Sequence, residues 1–168
     1  RRMNFRPDQV ASIARTSVST RPVAGPISPE LWISTTGTDS DSVVKLIDVY
    51  PDDFPDNDPN PADVRMGGYQ QLVRGEPFRA KYRESFERPE AMVPGELTRI
   101  AFTMPDISHV FRRGHRIMVQ IQSSWFPLVD RNPQSFVEIP FAVPEDFRKA
   151  IQRVSRSRDA ASSIELPV

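Results

Sequence analysis

The chain has 168 residues, and 22 Lys plus Arg offset 22 Asp plus Glu to a formal net charge of zero. That length suits one domain or a piece of a larger one, and 38% hydrophobic against 26% charged residues provides for a core and argues against wholesale disorder. Neutrality removes the broad attraction that nucleic acid or an anionic membrane would need; no apolar run approaches the roughly 20 residues of a membrane span; and the lack of cysteine excludes disulfide scaffolds, thiolate metal sites and cysteine nucleophiles.

Seventeen prolines accompany only seven glycines. They are spread between short apolar runs, and because proline donates no N–H and stops helices, the spacing predicts many short strands joined by turns. Residues 1–21 read as a basic, extended lead-in with one strand around 16–20, and residues 22–168 as the domain proper. The first residues, Arg1 to Pro7, have no apolar stretch behind their charges and do not read as a signal peptide. A chain without cysteine fits either redox compartment, so localisation stays open.

Residues 29–36 are rich in β-formers, and 43–50 form the clearest strand of the first half. In that strand Val44, Leu46 and Tyr50 share one face with the polar Asp48, while Val43, Ile47 and Val49 share the other. Both faces are apolar, as in a central strand covered on two sides. Pro51, Pro55, Pro59 and Pro61 then break the chain among five aspartates. Five acids invite a calcium reading, but they miss the alternate positions and the glycine of an EF-hand loop, so the segment reads as a solvated loop. Strands are expected at 68–73, 77–82 and 97–104. After the Arg112-Arg113-Gly114 turn, residues 115–124 alternate cleanly, with Ile117, Val119 and Ile121 opposite Arg116, Met118, Gln120 and Gln122. A strand is expected at 136–141. Pro144 opens either a short helix or, further on, a hairpin in which 152–155 pairs with 163–167; a short helical turn followed by the hairpin is favoured. Together these elements predict an all-β sandwich of jelly-roll type.

Catalytic signals are sparse. None of the glycines stands in a Gly-x-Ser-x-Gly elbow, where a nucleophilic serine needs small neighbours. His109 and His115 flank the 112–114 turn with Asp106 nearby but no distinguished serine, so hydrogen bonding at a hairpin end is their expected role. Their spacing fits no metal motif, and no glycine loop for phosphate is present. No catalytic residue, metal or cofactor is therefore assigned. The richest stretch is 123–133, with Trp125, Phe126 and an Asp130-Arg131-Asn132 turn between prolines. Two readings stand. The aromatics form a ligand wall or domain interface with Asp130 and Arg131 paired, or they plug the end of the sandwich while Asp130 and Asn132 bond their own turn.

Four ordered blocks carry a resemblance. Residues 39–51 are similar to the TDSDxVVKLxDVYPD block of the C-terminal, non-catalytic domain of the serine hydrolase family comprising X-Pro dipeptidyl peptidases, cocaine esterases and α-amino acid ester hydrolases. Residues 78–86 resemble its RxRYRES segment, 108–117 its HVFxxGHRI segment, and 123–133 its SSxFPxxDRNP segment. Trp125 and residues 134–137 bring the chain nearest the α-amino acid ester hydrolase branch. The resemblance covers residues 22 onward and implies a galactose-binding-domain-like jelly roll packed on an α/β-hydrolase domain, whose triad residues all precede this region. It also implies that the first strands of the jelly roll are missing and that strand edges are exposed. Trp125, Phe126, Asp130, Arg131 and Asn132 are the candidates for a domain interface or cleft wall. The expected partner is the upstream hydrolase domain, with a homo-oligomer of the parent enzyme as an option and no nucleic acid or membrane. A free-standing sandwich binding carbohydrate or another ligand, and a truncated product with no function of its own, are the alternatives.

Overall fold

The computed structural model describes residues 3–5, 11–16 and 19–167. Two antiparallel sheets face one another across a single main core. The axis of the first is β3 (Arg21–Thr35), preceded in the chain by β1 (Met3–Phe5) and β2 (Ala11–Thr16). The second is ordered β2, β8 (Arg116–Gln122), β4 (Asp41–Val49) and β5 (Gln70–Arg79).

The 15 residues of β3 serve several partners in turn. On one edge its first half pairs with β7 (Met104–Phe111) and its second half with β6 (Thr98–Ala101). The opposite edge takes β12 (Ser163–Glu165) and then β9 (Gln152–Val154), with β1 outside β9. The β3–β7 register shifts between Gly25 and Ile27. Gly25 has φ 124°, open to glycine alone, and Pro26 cannot donate to a ladder, so a bulge forms where the two meet. β10 (Arg156–Ser157) and β11 (Ala160–Ala161) make a small separate hairpin.

The core holds Val23, Ile27, Leu31 and Ile33 from β3, Val44 and Leu46 from β4, and Ile100, Met104, Ile107 and Phe111 from β6 and β7. Ile117, Val119 and Ile121 of β8 pack against it, as their alternation predicts. The outer face of β4 is covered too, since Ile47 and Val49 bury with Met118. Each such side chain contributes about 1.5–3 kcal/mol on full burial.

Several expectations change in detail. The lead-in strand runs over Ala11–Thr16, not 16–20, because its register is set by pairing with β8; residues 17 and 18 lie outside the described residues. Arg21, read as the end of the lead-in, is the first residue of β3. The strands expected at 68–73 and 77–82 are one strand, β5, at a sheet edge, where a proline such as Pro77 is tolerated. The chain leaves it through a 3₁₀ turn at Ala80–Tyr82. The expected strand at 136–141 is instead a 3₁₀ turn at Ile139–Phe141 containing Pro140. A further 3₁₀ turn, Pro144–Asp146, stands where the short helical turn is predicted. The expected hairpin of 152–155 with 163–167 does not form: β9 and β12 each pair with β3 and not with each other, and the local hairpin is that of β10 with β11. Long-range ladders outbid the local one.

Candidate functional site

Three of the four sequence blocks converge at the start of β4. The β3–β4 turn passes so close to the 132–136 segment that a Cβ on Gly37 would sit 2.3 Å from the Gln134 carbonyl oxygen; only glycine allows the approach. Thr38 then stitches the strands of chain together. Its N–H donates to the Gln134 carbonyl at 3.0 Å, its carbonyl accepts from Met92 N–H at 2.8 Å, and its hydroxyl accepts from Phe136 N–H at 2.8 Å.

Asn132 is the centre of this region. Its Nδ2 donates to Asp39 Oδ2 at 3.0 Å and Asp41 Oδ1 at 2.8 Å, and its Oδ1 accepts from Gln134 N–H at 2.8 Å. All three side chains are buried. Asp39 Oδ1 also accepts from Ser40 N–H at 2.8 Å. Burial pushes the Asp39 carboxyl above its usual range and raises Asp41 to about 6, against the lowering effect of the Asn132 hydrogen bonds. Lys81, also buried, lies close enough to pull both back down, and its Nζ donates to the Val137 carbonyl at 2.9 Å. The expectation that Asn132 bonds its own turn holds for the Gln134 contact. Its bridge to two aspartates more than 90 positions away is the larger finding.

The other expected site residues separate. Trp125 lies on the outer face of β4 and β5, where Lys45 Nζ is 4.3 Å from its ring centre, a cation–π contact. Desolvation there lowers the Lys45 pKa. A Cβ on Gly75 would meet the indole at 2.5 Å, so glycine makes room for the ring. Phe126 points to solvent with the Arg131 guanidinium 5.1 Å from its ring centre. Asp130 is exposed, and among the described residues no ion pair joins it to Arg131. The Asp130–Arg131 pair of the first reading is not formed, and the guanidinium lies over Phe126 instead.

At the far end of β4, Asp48 accepts from His109 Nε2 and His115 Nδ1, each at 2.9 Å. His115 packs on Tyr50 and Phe54, with ring centres 4.6 and 5.8 Å apart, and Tyr50 Oη donates to Gln71 Oε1 at 2.8 Å. The histidines are therefore not merely hairpin-end groups. Through His109 of β7 and Asp48 of β4 they tie one sheet to the other. Asp106, the acid nearest in sequence, is not their partner. Asp48 carries a signal in the sequence, a lone acid on an apolar strand face, but nothing local names what it binds.

A profile of the X-Pro dipeptidyl-peptidase C-terminal non-catalytic domain matches residues 9–164. The cocaine esterase of Rhodococcus sp. (strain MB1 Bresler) is 36% identical over 155 residues, which is 91% of this chain and 24% of the esterase. A crystal structure of an aminopeptidase from a marine sediment archaeon (Thaumarchaeota archaeon) superposes with a TM-score of 0.85 at 46% identity, covering 94% of this chain and 25% of that one. An α-amino acid ester hydrolase does so with a TM-score of 0.86 at 43% identity, covering 95% and 25%. The chain thus spans about a quarter of the length of the relatives it matches. With its two facing sheets and its four sequence blocks folded into them, the chain belongs to the family of C-terminal, non-catalytic domains of the X-Pro dipeptidyl peptidases.

Proposed function

We propose that this chain is the accessory jelly-roll domain of a serine hydrolase acting on peptides with proline in second position, or on acyl and α-amino acid esters. It docks on an α/β-hydrolase domain of the same polypeptide and helps wall the cleft. One observation carries this reading. A single stretch of chain offers Phe126, Leu128 and Phe141 to solvent at 61, 70 and 82% exposure beside a closed core. Large apolar side chains left in solvent mark a place where another body sits, and aromatic residues and arginine are enriched in such contacts. Within this scheme Phe126 and Arg131 touch the partner, while Trp125 and Asn132 hold the loop that presents them.

Hydroxyl-radical footprinting of the full-length parent and of the 168-residue chain tests the docking. Phe126, Leu128 and Phe141 are expected to be labelled in the short chain and protected in the parent; equal labelling overturns the proposal. The folded short chain is also expected neither to hydrolyse p-nitrophenyl acetate nor to react with a fluorophosphonate probe.

A second reading, a sandwich that binds carbohydrate by itself, draws on one cleft of about 540 Å³ lined by Phe78, Tyr82, Phe86, Phe102 and Arg79. Phe78 and Phe102 stack there at 4.7 Å. Chemical-shift changes at Phe86 on adding simple pyranosides would favour it.

A further inference from the structure

Asp39 and Asp41 are 0 and 3% exposed, yet both direct an oxygen at the same Asn132 nitrogen. An amide nitrogen has two hydrogens, so Asn132 commits its whole donor capacity to this pair. Its oxygen is committed as well, to the N–H of Gln134, a residue held at φ 65° in the left-handed region that non-glycine residues rarely adopt. Gln134 Nε2 returns to the Asn132 carbonyl at 3.2 Å. One side chain thus pins the 123–134 loop to the start of β4.

The groups that face the pair come from every neighbouring element. Arg79 of β5 stands opposite Asp41 in register, and its charge, like that of Lys81 beyond β5, lowers the Asp41 pKa, whereas Asp39 raises it. Arg153 of β9 lines the same crevice as Asp41. The cations do not restore the usual acidity, because loss of water around the carboxylates is the largest effect and Asp41 stays raised at about 6.

We propose that Asp39, Asn132 and Asp41 form an acid-tightened clasp: a proton on the carboxylate pair favours the loop fastened to β4, and full ionisation favours its release. An open loop would return water to Asp41 and its pKa to the ordinary 3.8. The closed form therefore binds the proton more tightly than the open form. Its advantage is complete below 3.8 and is lost as the pH rises through about 6, the opposite of a carboxylate whose pKa is depressed. Burial raises Asp39 in the same direction. The loop also carries Phe126 and Arg131. If the docking reading holds, on which this consequence alone rests, the surface offered to the hydrolase domain is better ordered in mild acid than at neutrality.

Amide hydrogen exchange on the full 168-residue chain between pH 4.5 and 7.5, corrected for the intrinsic rate, reads the clasp directly. Protection of Gln134 N–H is expected to fall about tenfold from pH 5 to pH 7. Protection of Ser155 N–H, bonded to the Trp32 carbonyl away from the loop, is expected to stay constant. Asp41→Asn is expected to abolish the dependence. An unchanged Gln134, or an Asp41→Asn chain that keeps the full dependence, overturns the proposal. Should the variant not fold, carbon-13 carboxyl titration of the wild-type chain decides: a midpoint near 6 for either aspartate supports the clasp, and two midpoints below 4.5 refute it. These readings need no hydrolase domain, so a failed footprinting experiment leaves them standing.

Discussion

Asp41 and Asp48 stand near opposite ends of β4, seven residues and about 24 Å apart at about 3.4 Å per residue. At Asp48 one carboxylate accepts from two imidazoles. At Asp41 one amide must serve two carboxylates. The first arrangement matches an acceptor-only group with a donor for each oxygen and closes one sheet on the other. The second crowds negative charge onto a neutral donor, and burial makes that crowding expensive. A buried acid is thus a rivet at one end and a stressed joint at the other, and the loop that carries the exposed Phe126 belongs to the stressed end.

Substitutions at the two ends should separate these roles. Asp48→Ala, which leaves two imidazoles facing an apolar gap, is expected to cost about 3 kcal/mol in urea unfolding; a cost below about 1 kcal/mol would remove the rivet from the comparison. Asn132→Ala is expected to cost about 2 kcal/mol, because it strands the Gln134 N–H and takes from Asp39 and Asp41 the donor they share. Its loop should lose exchange protection at every pH, with the β3–β7 ladder unaffected. Asp41→Asn sharpens the contrast further. Since the folded-state pKa lies above 3.8, at about 6, wild type is expected to lose stability as pH rises from 4 to 7, whereas the variant follows a flatter course. A steeper course for the variant would reverse the assignment. Phe126→Asp is the smallest effect in the isolated chain, within about 0.5 kcal/mol because the ring is exposed, yet it should weaken domain docking in the parent, read as a separate early melting transition.

How much was legible beforehand differs between these ends. The faces of β4 and β8 follow from strict alternation, a property each residue shares with its immediate neighbours. Asp48 stood out as a polar residue on the core face, and Asn132 as part of a costly turn. Neither partner could be named. Asp48 finds His109 and His115 more than 60 positions on, and Asn132 reaches back more than 90. β7 went unannounced because Asp106, Ser108 and His109 blur its apolar alternation, and Pro105 interrupts its period. The Asp130–Arg131 pair was assumed from adjacency, whereas the guanidinium turned to Phe126.

By itself the amino-acid order determined the strand-rich class, the family blocks and the absence of a serine elbow, because each is written in residues close together in the chain. Only the tertiary structure decided that β3 is the shared axis, that two histidines lock onto Asp48, and that one asparagine joins two buried acids. Those outcomes depend on which segments meet when the sheets close. Water withdrawn by that closure, more than the neighbouring Asp39, raises the Asp41 pKa.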